Sequence, residues 1–345
     1  MKFHNFPVSK VVRTYGRLFI KTEKAEEASQ KVARAFGISS VSPALETSSK
    51  LDDIMEKSLL IASTRLGNRN TFAVKCRRVG SHPYGSKDIC SELGRQILEK
   101  FGKKYEVKVD LKHPDITFGI DIRDDKAFIF DKVIEGQGGL PLGAQSRLVG
   151  LVNGEVSSIA ACWLVMKRGC PIIPLYFDNT PYTEESITEK VIDHTKTLFD
   201  WAIGFPRRIY IVSNGRNLKD IVDKCPNHLT CLLCKRVMYR IGEKVSEMFR
   251  AEGIVTGETL GTPENPNLHD LNQLSQAVKQ YPIHRPLLGF DKQEIEELAI
   301  KIGIRPQIAE KKKACMTMVI KPKTVTKLQE IIEAEKKLDI EEMIE

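Results

Sequence analysis

The chain has 345 residues, enough for two domains of ordinary size. Apolar residues make up 41% of it, which supplies a packed core and excludes disorder over most of the length. It carries 53 Lys and Arg against 45 Asp and Glu, a formal +8. Membrane spans are excluded: no apolar run nears the roughly 18 residues one needs, and Ile159–Met166 stops at Lys167 and Arg168.

The amino terminus, MKFHNFPVSKVVRTYGR, lacks the apolar stretch of a secretory signal, which predicts a cytoplasmic protein with reduced cysteines. Between Arg65 and Lys112 stand twelve basic and five acidic side chains, so nearly all the excess charge lies in one segment. Such a concentration suits a polyanion, although charge alone reads equally well as an unevenly charged solvated surface. In the same segment Phe72, Val74 and Cys76 alternate with polar residues and predict a strand. A helix is expected over Ser86–Phe101, with Ile89, Leu93, Ile97 and Phe101 on one face. Three strand-like runs follow, YEVKVDL, DITFGIDIR and KAFIFDKV, the last two joined by an Asp124–Asp125 turn. GQGGLPLG then marks a hinge, placing a boundary near Ile134–Ala144.

Beyond that boundary strands and helices alternate. Strands are predicted at Leu148–Val152, Ile172–Phe177, Arg208–Ser213 and Ile254–Thr256, with helices at Ser158–Arg168, Glu184–Trp201 and Cys234–Glu252. This order implies a doubly wound parallel sheet. Asp291 and Glu294 form a capping box before a helix reaching Ile302, Lys323–Lys337 reads as a further helix, and Asp339–Glu345 as a solvated tail. Ligands of such sheets collect at the carboxyl ends of the strands. The first strand there ends in Val152-Asn153-Gly154-Glu155-Val156-Ser157-Ser158, a turn whose amides and following helix dipole can face a phosphate. Most such turns bind nothing, so the motif alone is weak. Cys231-Leu232-Leu233-Cys234 places two thiols three apart at a helix start, where the dipole, Lys235 and Arg236 favour thiolate. Half a zinc site, a redox pair and an accident of spacing all remain open for it.

The stretches GGLPLGAQSRLVGLVNGEVSSIAACWLVMKRGC, KRVMYRIGEKVSEMFRAEGIVTGETLG and HRPLLGFDKQEIEELAIKIG, occurring in this order, resemble the tRNA 4-thiouridine synthetases (tRNA sulfurtransferases) in their short form without a rhodanese-like domain. The resemblance implies a partial ferredoxin-like segment over 1–50, a THUMP tRNA-binding domain over 51–133, a linker over 134–144 and a PP-loop ATP-pyrophosphatase domain over 145–345. It implies ATP-dependent adenylation of a tRNA uridine, sulfur insertion at C4, Mg²⁺, a sulfide or persulfide donor and a homodimer. Leu151, Val152, Gly154, Ser158, Tyr176, Phe177, Lys235 and Gly257 match nucleotide-binding positions. Arg77, Arg78, Lys87, Arg95, Lys103 and Lys104 are the candidates for tRNA contact. Cys231, Cys234 and Cys315 match cysteines that handle sulfur and, in short members, hold a [4Fe–4S] or [3Fe–4S] cluster, with Cys225 as a spare.

The departures from the family pattern are specific. Where members read Ser-Gly-Gly-x-Asp-Ser, this chain reads Asn153 to Ser158, keeping one glycine and the final serine and placing Glu155 where a polyanion should approach. The Ala-Ser-Gln-Thr loop has become Asn265-Pro266-Asn267-Leu268, with Pro266 in place of a nucleotide-binding glutamine. Met1 stands only a dozen or so residues before Tyr15, so half of the ferredoxin-like domain is expected to be absent: either the start codon is mis-called, or the domain is truncated and its remaining sheet has an exposed edge. Two alternatives follow: a degenerate paralogue that binds tRNA or a cluster without adenylating, and a sulfur carrier for thiamine thiazole synthesis.

Overall fold

The computed structural model describes residues 7–14, 16–261, 267–304 and 327–345. The chain divides into two compact units, Met1–Gly138 and Gly139–Glu345. The first contains, in chain order, β1 (Lys10–Thr14), β2 (Arg17–Lys21), α1 (Ala25–Ala33), β3 (Ser40–Val41), β4 (Leu45–Ser48), α2 (Leu51–Arg65), β5 (Thr71–Val79), α3 (Ser86–Ile97), α4 (Lys103–Tyr105), β6 (Lys108–Val109), β7 (Ile116–Arg123), β8 (Lys126–Phe130) and β9 (Ile134–Glu135).

Its main sheet has the order β4-β8-β7-β5-β6, with β5 parallel to β7 and β6 and the other pairs antiparallel. Strand alternation sends Phe118, Ile120 and Ile122 to one face, where they meet Ile54, Ile61, Ile89 and Leu93 of α2 and α3 in a closed core. The other face is covered too. The β1–β2 hairpin stacks Phe19 on Phe128 at 4.2 Å, and Arg17 and Arg123 bracket Asp121 at 3.4 and 3.1 Å. The helix expected through Phe101 ends at Ile97, and a π-helical turn over Leu98–Gly102 carries Phe101 into the same core. YEVKVDL yields only the two-residue β6, because Glu106 takes a left-handed turn conformation with φ of 52°.

The second unit contains β10 (Leu148–Val152), α5 (Val156–Lys167), β11 (Ile172–Asp178), α6 (Glu185–Trp201), β12 (Tyr210–Ser213), α7 (Gly215–Lys224), α8 (Thr230–Phe249), β13 (Ile254–Val255), α9 (Leu268–Ser275), β14 (Ile283–His284), α10 (Lys292–Ile302), α11 (Leu328–Glu335) and α12 (Ile340–Ile344). The sheet is parallel throughout, ordered β12-β11-β10-β13-β14. The chain therefore winds outward from β10 to β12, then crosses to the other side of β10 at β13, which makes the β10/β13 boundary the switch point. Gly150 lets α5 approach closely: a Cβ there would lie 2.6 Å from the Cys162 sulfur. On the opposite face Val149, Leu151, Leu175 and Phe177 pack with Leu218 and Ile221 of α7 and Leu233 and Val237 of α8.

In the second unit α7, α9 and β14 are not expected from the sequence, and the long helix and the acidic tail differ from expectation. The long helix begins at Thr230 rather than Cys234, so both cysteines lie inside its start. The acidic tail is folded, not solvated: Asp339 caps the Glu342 amide at 3.1 Å, and Met343 is buried in the core that α8 lines. Lys323–Thr326 of the predicted carboxyl-terminal helix lies outside the described residues, and α11 begins at Leu328.

A buried ion network pins α11 to α8. Glu335 receives Arg236 at 2.8 Å and Arg240 at 2.7 Å, while Arg236 also donates to the Gln273 carbonyl before β14. Burial pushes the Glu335 carboxyl up, but hydrogen bonds from both arginines outweigh it and hold the group below its usual range. Removing the carboxylate leaves the buried Arg236 and the half-buried Arg240 uncompensated, so Glu335→Ala should cost about 3–5 kcal/mol in urea unfolding at neutral pH. With its pKa lowered by folding, Glu335 contributes fully above the ordinary carboxylate range. That contribution is lost as pH falls through the lowered value, so variant and wild-type stabilities should converge in acid.

Candidate functional site

At the carboxyl end of β10, only Asn153, Gly154 and Glu155 separate strand from helix. Gly154 has φ of 78°, a conformation glycine adopts at low cost. The Asn153 Oδ1 accepts from the Glu155 amide at 3.1 Å. Ser158 Oγ donates to the Glu155 carbonyl at 2.9 Å and accepts from the Asn153 amide at 3.4 Å. The turn is thus closed by Asn153 and Ser158. Glu155 occupies the N-cap position without a side-chain capping bond, and its side chain is exposed. The first-turn amides of α5 therefore keep the positive end of a buried helix uncapped by side chains, which is the electrostatic requirement for holding phosphate.

Gly257, just past β13, backs this turn. A Cβ at Gly257 would stand 2.5 Å from the Ser158 amide nitrogen and 2.7 Å from the Ser157 carbonyl carbon, so only glycine allows the contact. The next residue, Glu258, is 5% exposed and binds Arg285 at 2.7 Å, Lys235 at 3.2 Å and the Thr256 hydroxyl at 3.2 Å. Burial opposes its charge, yet Lys235 and Arg285 together hold the carboxyl below its usual range. His194, on α6, faces the Gly154 backbone; burial, and then the Lys190 charge, push its imidazole below the usual value.

The remaining nucleotide candidates share this edge. Val152 pairs in register with Tyr176, and Leu151 with Leu175. Tyr176 and Phe177 are both buried but point to opposite faces of the sheet. The Tyr176 hydroxyl lies 3.2 Å from Thr188 of α6, whereas Phe177 packs under α7 and α8. Cys234 is buried and its sulfur accepts an N–H from the Asn214 amide at 3.6 Å; Cys231 is partly exposed. Cys225 turns away to the Ala334 carbonyl at 3.5 Å, and burial raises its thiol. Cys315, Asn265 and Pro266 lie outside the described residues. Among the described residues no group of three His, Cys, Asp or Glu side chains could hold a metal ion.

In the first unit Arg77 and Lys87 are exposed, as are Lys103 and Lys104, the latter standing 4.8 Å over the Tyr105 ring. Arg78 is half-buried and donates to the Gly80 carbonyl at 3.1 Å and to His82 Nδ1 at 3.4 Å, leaving His82 Nε2–H to donate to the Asp124 carbonyl at 2.7 Å. Arg95 differs from the rest: Glu92 and Glu99 each bind it at 2.6 Å, so its charge is already offset. Sequence reasoning does not reach Glu258, Arg285 or Asn214. The signal for the first two is a carboxylate within the apolar run IVTGETLG and an arginine directly after β14.

Fold and site together define a doubly wound parallel-sheet protein with a glycine-containing turn at its switch point, preceded by a basic α/β unit. The chain belongs to the ThiI family: the family described as Thiamine biosynthesis protein (ThiI) matches residues 143–340, and the THUMP domain matches residues 48–131. A probable tRNA sulfurtransferase of Methanosarcina mazei is 35% identical over 347 residues, spanning 99% of this chain and 84% of the relative. One of Methanothermobacter thermautotrophicus is 34% identical over 336 residues, spanning 96% and 85%. A crystal structure of a 4-thiouridine synthetase–RNA complex with bound ATP superposes with a TM-score of 0.85 at 30% identity, covering 97% of this chain and 88% of that one. No described helix is long and apolar enough to cross a membrane.

The Gly257 contact has a direct consequence. Gly257→Ala should displace the start of α5 and cost about 1–3 kcal/mol in urea unfolding, because an inserted methyl meets backbone that cannot swing aside.

Proposed function

We propose that the protein is an ATP-dependent tRNA sulfurtransferase that converts a uridine of tRNA to 4-thiouridine. The observation that carries this reading is the turn at 153–158, braced by Gly257 at the switch point, in a chain that superposes over 97% of its length on a 4-thiouridine synthetase. ATP, as substrate, would place its phosphates against the uncapped amides at the start of α5, with its adenine beside the ends of β10 and β11. Leu151 and Val152 would contribute backbone there, and Tyr176 and Phe177 the strand that borders the ring. Lys235 would add positive charge at the same edge, and Mg²⁺ would offset phosphate charge, with Ser157 offering a hydroxyl where the family carries an aspartate.

The uridine O4 attacks the α-phosphorus, pyrophosphate leaves with the bonding pair, and C4 now carries an adenylate. A sulfur nucleophile adds at C4, AMP departs with the oxygen, and loss of a proton leaves 4-thiouridine. Glu155 does not block this sequence by occupying the turn, since its exposed side chain takes no part in the bonds that close it. Cys231 and Cys234 would supply sulfur chemistry from the start of α8, and Cys315, outside the described residues, would be a third thiol. As soft donors three residues apart, the two described cysteines fit an iron–sulfur cluster as two of its three ligands. Such a cluster would serve to present sulfide.

The basic unit would grip tRNA by shape and charge rather than by base sequence. Exchanging Arg77 and Lys87 for alanine should lower the salt dependence of tRNA binding by about 0.7–0.9 in log–log slope for each phosphate left without its cation. Arg95→Ala should change that slope less, its charge being held by Glu92 and Glu99. The decisive assay supplies unmodified tRNA with ATP and sulfide under anaerobic conditions and reads nucleosides by mass spectrometry. An ATP-dependent exchange of oxygen for sulfur at one uridine supports the proposal. Intact protein that binds tRNA but forms neither product nor pyrophosphate refutes it.

A further inference from the structure

Glu258 is a carboxylate whose two oxygens are both paired. It follows directly on Gly257, whose backbone lies against Ser157 and Ser158, so its position is tied to the turn at 153–158. It is buried, and each oxygen has its own cation: Oε1 holds Lys235 at 3.2 Å, and Oε2 holds Arg285 at 2.7 Å. The two cations are not equivalent. The Arg285 side chain is 13% exposed and anchored a second time through Ser275 Oγ at 3.0 Å, whereas the Lys235 side chain is 33% exposed and held by the Glu258 carboxylate. The Thr256 hydroxyl adds a bond to Oε2 at 3.2 Å. The arrangement has a fixed end at Arg285 and a solvent-facing end at Lys235.

We propose that Glu258 is the positioning residue of the nucleotide site, acting through Lys235: Arg285 and Thr256 fix the carboxylate, and the carboxylate fixes the ammonium at the edge where the β13 end meets the phosphate turn. Two cations share one buried anion, so the cluster keeps a net positive charge and remains attractive to a polyphosphate. A lysine otherwise brings several rotatable bonds to the site and loses that freedom on binding; holding it beforehand removes part of the cost. This inference rests on the reading of the turn as an ATP site.

A double-variant cycle tests it on the full chain, with ATP and magnesium titrated by calorimetry. Glu258→Gln keeps the shape and removes the charge; it should weaken ATP binding about tenfold, the scale of one lost charge-assisted hydrogen bond. Lys235→Met should weaken binding at least as much. If Glu258 acts through Lys235, the double variant binds ATP no more weakly than Lys235→Met alone. A merely structural carboxylate would instead give losses that multiply, or no loss from Glu258→Gln at all, and either result overturns the proposal. tRNA affinity, which belongs to the other unit, should be unchanged in every variant. Should Glu258→Gln fail to fold, pairing it with Arg285→Met removes both buried charges together, and the same comparison with and without Lys235→Met applies. Wild-type protein that binds no ATP would overturn the ATP-site reading as well, whereas additive losses on a wild type that binds ATP overturn only the role of Glu258.

Discussion

Where β13 ends, the chain passes so close to the first turn of α5 that a single methyl group would collide with backbone atoms of Ser157 and Ser158. That contact ties the two strands on either side of the switch point to one loop. β13 is only two residues long and pairs with β10 through Val149 and Gly150 and with β14 through Ile283 and His284. Gly257 completes the junction by close packing, and Glu258 immediately converts it into a charged one. The helix start, the glycine and the carboxylate thus form one rigid edge rather than three separate features.

The second unit uses the same device twice. The buried Glu258 sits between Lys235 and Arg285, and the half-buried Glu335 between Arg236 and Arg240, each a carboxylate compensated by two cations. Lys235, Arg236 and Arg240 all project from α8, and Arg285 follows β14 directly. A buried ion pair is weak evidence for stability, because desolvation opposes it; here each carboxylate instead fixes the direction of the cations around it. α8 carries the two cysteines at its start and the three cations just after them, so one helix sets the spacing between the thiols and the cations that hold Glu258 and Glu335.

Much of the architecture was legible in the residues because it rests on local rules. The alternation of Phe118, Ile120 and Ile122, the capping box of Asp291 and Glu294, and the apolar run Leu148–Val152 each encode their element directly. The parts that were not legible depend on distant partners. Asp339–Glu345 reads as a frayed acidic tail until Met343 finds the core beside α8. The β1–β2 hairpin shows its purpose only once Phe19 meets Phe128, a residue far along the chain. At the site, Gly154 and Ser158 could be named from the motif, but Glu258 and Arg285 could not, since a charge in an apolar run has no reading until its partner from another element is known. Glu155 shows the converse: an intruding acid in the sequence is an exposed side chain at a helix start in the fold.

The central proposal is that a turn departing from its family's pattern forms a nucleotide site because Gly257 and the α5 helix start supply its geometry. The most direct measurement is isotope exchange between pyrophosphate and ATP in the presence of unmodified tRNA, which reports adenylation without requiring a sulfur source. Exchange that depends on tRNA and disappears in Gly257→Ala is the predicted result. Protein that binds tRNA tightly yet catalyses no exchange at saturating ATP would contradict the claim.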